Sequence, residues 1–147
     1  MKQPSLICLL VSIFLLAGCG GGGHDNESDE GGEGGRNALM SPGEDCTACH
    51  SNFSVAGTVF PAAGSATGAG VVNATVVVID ANNQSTSLTT NAAGNFYTTN
   101  RLAMPLKQTF VIYNGVKTNM LSTPMGACSS CHTLPPKGNA PGRLHAN

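Results

Sequence analysis

The stretch Thr75-Val76-Val77-Val78-Ile79 decides the fold of this chain. Every side chain in it is β-branched, so both faces of an extended strand would be largely apolar. That pattern predicts an inner strand of a β-sandwich, buried on both sides. We expect the strand to cover residues 71–80, because Ala81-Asn82-Asn83 is a turn signal.

Further short runs rich in β-branched, aromatic or apolar residues follow at a spacing of about ten residues, which is typical of a small sandwich. Asn114-Gly115 lies between two of these runs. This dipeptide is a strong hairpin signal, because both central residues of a type I′ turn need positive φ. No sustained helical period is present between the first and last runs. The sequence therefore predicts an all-β fold, with the other strands at residues 55–60, 86–90, 96–99, 109–113 and 116–120.

Three pieces of this region resemble carboxypeptidase-regulatory-like domains. Residues 55–59 match the opening G-x-V strand, residues 71–80 match the inner strand, and residues 89–96 match a T-D-x-x-G-x-F/Y motif. Asn91 stands where that motif has Asp. The resemblance implies a small Ig-like or prealbumin-like β-sandwich of about seven strands. It implies a scaffold and no activity of its own.

The first residues resemble the signal peptide of a bacterial lipoprotein, which we place at residues 1–18. Residues 6–17 are almost wholly apolar but too few to span a bilayer. Leu16-Ala17-Gly18-Cys19 resembles the lipoprotein cleavage box, which implies acyl chains on Cys19 and an anchor in the bacterial cell envelope. Gly20 after that Cys favours the outer membrane, with the domain facing the periplasm or the surface. Ordinary cleavage without lipidation is the alternative.

Residues 19–42 form a Gly-rich, acidic segment that we expect to be a disordered tether, because it has too few apolar side chains to fold. Charge reverses beyond it, where Asp80 is the only acid after Asp45. The basic residues there are scattered and the chain has no Trp, so nothing indicates nucleic-acid binding. These basic residues are Arg101, Lys107, Lys117, Lys137 and Arg143.

Two C-x-x-C-H motifs carry the chemistry: Cys46-Thr47-Ala48-Cys49-His50 and Cys128-Ser129-Ser130-Cys131-His132. In c-type haem attachment the two thiols bind the porphyrin edge covalently, and the following His ligates the iron. The motifs predict thioether bonds at all four of these cysteines, iron ligation by both histidines, and two haem c groups, or one if a single motif is loaded.

Two other chemistries use paired C-x-x-C motifs, namely a Cys₄ zinc site and a pair of disulfides or redox-active dithiols. Neither requires a His after each second Cys. With four His in 147 residues, two such placements by chance have a probability on the order of one in a thousand. The βαβ pattern that accompanies a thioredoxin-type site is also missing from the sequence.

The sequence specifies the second axial ligand of each iron less clearly than the first, which is the His of the motif. For the second haem we favour His145, because enough chain separates it from His132 to cross a haem face; an unpaired His at a frayed terminus is the alternative. The Pro141-Gly142-Arg143 turn resembles haem-covering tails of cytochrome-like lipoproteins, and Arg143 would pair with a propionate or lie on the surface. For the first haem the ligand stays open. The methionines weighed for these positions are Met40, Met104, Met120 and Met125.

The expected domain order is a haem-attachment segment at residues 43–54, the sandwich at 55–123 and a second attachment segment with the tail at 124–147.

We expect a one-electron carrier and no enzyme, because the chain offers almost no acid–base groups. Its partners would be redox proteins such as other multihaem cytochromes. The alternative is a haem-bearing structural module that docks on a larger multihaem complex. An odd strand number would place the two motifs at opposite ends, whereas folded-back tails would bring them together.

Overall fold

The computed structural model describes residue 39, residues 41–120 and residues 125–146. The predicted signal peptide, Cys19, Met40 and nearly all of the tether lie outside these residues. Within the described ranges no helix has the length and apolar character needed to cross a membrane. The elements are α1 Cys46–Cys49, β1 Val55–Thr58, β2 Thr75–Ile79, β3 Ser85–Thr89, β4 Asn95–Thr98, β5 Gln108–Tyr113, β6 Val116–Asn119 and the short 3₁₀ helix η1 Cys128–Ser130.

The strands form two antiparallel sheets that share one core. β1 pairs with β4, and the second sheet has the order β3-β2-β5-β6. Val55 and Phe96 from the first sheet belong to the same buried cluster as Val76 and Val111 from the second. The fold is therefore all-β and sandwich-like, as the sequence predicts. Val76, Val77 and Val78 are all buried, which confirms that β2 is an inner strand.

β2 begins at Thr75, so the prediction of a strand from residue 71 was wrong at that end. The preceding residues make a turn in which Asn73 has φ +58°. Thr90 stabilises this turn, because its Oγ1 accepts from Ala74 N (2.8 Å) and donates to Val71 O (2.6 Å). The hydroxyl thus satisfies backbone groups that a longer strand would have paired in the sheet.

The predicted hairpin at Asn114-Gly115 is present. Their φ angles are +48° and +77°, and Tyr113 pairs with Val116 across the turn. The departure at Asn91 also has a simple explanation. Its Oδ1 accepts from the backbone N of Ala93 (2.9 Å) and of Asn95 (3.0 Å), which an Asp carboxylate would do equally well.

The C-terminal tail returns along the edge of β1 that β4 does not cover. Ala56 N donates to Gly126 O (2.9 Å), Phe60 N donates to Leu144 O (2.8 Å), and Ala146 N donates to Phe60 O (3.0 Å). This parallel pairing brings the end of the chain back to the strand that follows the first motif. The two motifs consequently meet at β1. Of the two arrangements that the sequence left open, motifs at opposite ends or motifs brought together by folded-back tails, the structure has the second.

Candidate functional site

Each C-x-x-C-H motif folds as a single helical turn. In α1 the N–H of His50 donates to Cys46 O (2.9 Å). In η1 the N–H groups of Cys131 and His132 both donate to Cys128 O, at 3.3 and 3.1 Å. Residues at positions i, i+3 and i+4 of a helical turn share one face. In each motif the two Cys are therefore about one helical turn apart, and the His follows the second Cys directly.

The first turn is fixed at its start by local hydrogen bonds. Asp45 is its N-cap, and its Oδ1 accepts from both the N–H (3.0 Å) and the hydroxyl (2.7 Å) of Thr47. Just before it, Gly43 N donates to the buried Oγ1 of Thr58 in β1 (2.9 Å). The approach to the first motif is thus tied to the sandwich.

The second motif opens on a cavity of about 630 Å³, within the range of small-molecule and cofactor sites. Cys128, Cys131 and His132 line it together. The other lining residues come from the β5–β6 hairpin and from the tail. These lining residues include Thr109, Thr118, Met120, Met125, Pro141, Leu144 and His145.

His132 is buried, and its Nδ1 lies 2.8 Å from Gly142 O. A carbonyl oxygen can only accept, so Nδ1 must carry the proton in this contact. In a neutral imidazole that leaves the lone pair on Nε2, which is the state required of a metal ligand. A backbone carbonyl on the other ring nitrogen is also the usual means of orienting a ligating His.

His145 has the same arrangement, with Nδ1 3.0 Å from Arg143 O. It lines the same cavity as His132, and its backbone pairs with Phe60. The structure therefore places this His beside the second motif, on a tail that is held against β1. Met120 and Met125 line the cavity as well, and Met120 also packs against the core.

The thiols of the two motifs differ in exposure. Burial raises the pKa of Cys128 to about 12, and the nearby Cys46 adds to this shift. Burial is also the main reason that the pKa of Cys46 is raised. Cys49 and Cys131 are exposed. The contribution of Cys46 to the pKa of Cys128 indicates that the first thiols of the two motifs lie near one another.

The imidazole of His50 belongs to a stack of three rings. Its centroid lies 4.7 Å from that of Phe53, which lies 4.5 Å from that of Tyr97. Stacking covers the ring face and leaves the ring nitrogens at the edge available. Sequence reasoning missed Phe53, although it lies only three residues after His50, and it missed Tyr97, which comes from the distant strand β4.

Arg143 is buried, contrary to the surface position that was one of the two expectations for it. Its Nη1 donates to Gly43 O (3.0 Å), and its guanidinium lies over the Phe60 ring, 4.6 Å from the centroid. No contact in the structure tests the propionate expectation.

Two buried polar side-chain atoms have no hydrogen-bond partner among the described residues. They are the Oγ1 of Thr109, which lines the cavity, and the Nε of Arg143. Haem carries two propionate carboxylates that accept hydrogen bonds, and its porphyrin needs apolar walls such as those that Leu144 and Met120 provide. The donor set, the walls and the unsatisfied hydroxyl all fit a haem bound at Cys128 and Cys131.

The zinc alternative gains no support from the described residues. Among them, no three or more His, Cys, Asp or Glu side chains are grouped closely enough to hold a metal ion. The four cysteines of the motifs are thiols in the structure, so the disulfide alternative is not realised there either.

No protein-family model matches the chain, and no curated protein or solved structure is significantly similar to it. The functional assignment therefore depends on the residues themselves.

Proposed function

We propose that this chain is a c-type cytochrome that carries two covalently attached haems and transfers single electrons in the bacterial cell envelope. Cys46 and Cys49 would hold the first haem, with His50 as iron ligand. Cys128 and Cys131 would hold the second, with His132 as iron ligand.

The contact between His132 Nδ1 and Gly142 O carries this proposal. It supports the tautomer that an iron ligand needs, at a His that lines the same cavity as two thiols spaced for thioether bonds. Neither a dithiol redox site nor a Cys₄ zinc site calls for an oriented imidazole at this position.

When bound, haem supplies a one-electron cycle between ferric and ferrous iron. The chain's own residues set the conditions for it. His132, oriented by Gly142 O, would be one iron ligand, and the buried Leu144 would form an apolar wall of the site. His145 is our choice for the other iron ligand at the second site, because Arg143 O would hold its Nδ1 and leave Nε2 for the metal.

The sequence also supports proposals for the membrane anchor, the scaffold and the redox partners of this domain. Acylation of Cys19 would anchor the chain in the envelope, and a Cys19→Ser variant should then shift from the membrane to the soluble fraction. The sandwich would be a carboxypeptidase-regulatory-like scaffold. Its partners would be other redox proteins, such as multihaem cytochromes.

The proposal is tested by producing the full chain in a bacterial host that matures c-type cytochromes. We expect a haem-stained band on a denaturing gel and an intact mass that includes two haems. Cys128→Ala/Cys131→Ala and Cys46→Ala/Cys49→Ala are matched variants, and each should retain one haem. A colourless wild-type protein would overturn the proposal.

The docking-module alternative is separated by a second measurement on the same preparation. Rapid and reversible reduction of the isolated protein by a small one-electron donor supports an electron carrier. Haems that are reduced only after a larger multihaem complex is added would favour the docking module.

A further inference from the structure

We propose that the two attachment sites form one dihaem unit, in which the haems lie close enough to interact and to exchange electrons within a single molecule. This inference rests on the proposed function and adds what the sequence does not specify, namely the spatial relation of the two sites.

Both attachment turns pack against the same short strand. α1 and η1 each contact β1, a strand of four residues. At about 3.3 Å per residue such a strand is only ~13 Å long. Two porphyrins fastened to turns on it would start from points separated by a distance comparable to the width of one porphyrin.

Adjacent residues of β1 hold the two motifs. The Oγ1 of Thr58 accepts from Gly43 N (2.9 Å), three residues before Cys46. The neighbouring Gly57 faces Cys128 so closely that a Cβ built on it would lie 2.9 Å from the Cys128 Cβ. The approach to the first motif and the first thiol of the second motif therefore meet at one dipeptide.

The tail joins the two sites a second time. Gly142 O holds the imidazole of the second motif, and the next residue, Arg143, donates to Gly43 O beside the first motif. Both contacts are buried and come from adjacent residues of the tail. The tail therefore connects the two sites independently of β1.

Within such a unit, one electron leaves the iron of one site as the other site is reduced, with no net change in charge. Net reduction of the pair needs an external one-electron donor, which is the redox partner of the proposed function. The more exposed first site, with Cys49 and Tyr97 at the surface, is the natural entry point.

The test is circular dichroism of the oxidised full-length protein in the main haem absorption band. Two interacting haems give a two-signed couplet, whereas separated haems give simple bands. We expect the couplet in the wild type and its complete loss in the two single-haem variants, Cys46→Ala/Cys49→Ala and Cys128→Ala/Cys131→Ala. A wild-type spectrum equal to the sum of the two variant spectra would overturn the inference.

A second measurement needs only the wild-type protein, so the inference can still be tested if one variant does not fold. Electron paramagnetic resonance of the fully ferric protein should show broadening by spin–spin interaction, and partial reduction should remove it. Absence of both the couplet and the broadening in a protein whose mass includes two haems rejects the dihaem unit and leaves the cytochrome proposal intact. A protein without haem rejects both.

Discussion

The guanidinium of Arg143 donates a hydrogen bond to the carbonyl oxygen of Gly43 at 3.0 Å, between two buried groups 100 residues apart in the chain. The same side chain lies over the Phe60 ring. This contact joins the last described segment to the segment that leads into the first motif. Through Gly43, which also donates to Thr58 Oγ1, the contact connects the tail to β1.

Arg143→Ala should lower the free energy of unfolding by roughly 2–4 kcal/mol, because it leaves Gly43 O without its donor and empties a buried volume. Urea unfolding of the haem-free protein measures this. Arg101→Ala, at an exposed site, is the control and should change stability by less than about 0.5 kcal/mol. Equal stability of the two variants would contradict a structural role for the Arg143 contact.

Gly142→Ala should destabilise the tail by roughly 1–3 kcal/mol. Gly142 has φ +129°, and a Cβ there would lie 2.6 Å from Ala63 O, so the backbone carbonyl that holds His132 must move. Gly64→Ala is the matched control, since a Cβ at Gly64 meets no atom within 4 Å. Thermal unfolding measures the midpoint temperature of both variants, and we expect a lower value for Gly142→Ala. Equal midpoints would contradict the backbone strain expected at residue 142.

His145→Ala should open the sixth coordination position of the second haem. The variant is best made in the Cys46→Ala/Cys49→Ala background, so that only the second haem contributes to the spectrum. We expect the low-spin absorption and electron paramagnetic resonance signals to be lost almost completely. Met120→Ala and Met125→Ala are the comparison variants, and loss of the low-spin signal in either of them instead would assign the ligand to that Met.

Thiol labelling of the haem-free protein should follow exposure and thiolate content. At pH 8 we expect iodoacetamide to modify Cys131 at least about 100-fold faster than Cys128, whose thiol is buried and has a raised pKa. Peptide mass spectrometry after timed quenching measures the two rates. In concentrated urea the rates should become similar, and a persistent difference there would show that the fold is not its cause.

Acid stability should depend on Asp80. Backbone N–H groups, first that of Gln84 and then those of Ala103 and Asn82, hold the pKa of this carboxyl below its usual value. A lowered folded-state pKa contributes stability above the unfolded-state value of about 3.9, and that stability is lost as the pH falls through the folded-state pKa.

Asp80→Asn should therefore reduce stability at pH 7 and flatten its decline below about pH 4. Urea unfolding midpoints at pH 7, 4 and 3 measure the slope. If the variant shows the same decline as the wild type, other carboxyl groups cause the acid sensitivity.

Local patterns were sufficient to predict most of the strands. The β-branched run at residues 75–79 has one stable environment, a buried inner strand, and Asn114-Gly115 has backbone angles that few other dipeptides accept. Each C-x-x-C-H motif likewise forms its turn from neighbouring residues. Sequence failed at the start of β2, where the Thr90 hydroxyl from a distant segment replaces sheet pairing.

The amino-acid sequence alone determined an all-β domain with two C-x-x-C-H motifs, because periodicity, turn residues and motif spacing act over a few residues. Only the tertiary structure decided that the two motifs meet. That depends on the tail pairing with β1, on Gly142 reaching His132 and on Arg143 reaching Gly43. Contacts over such separations are set by how the whole chain packs, and no local pattern encodes them.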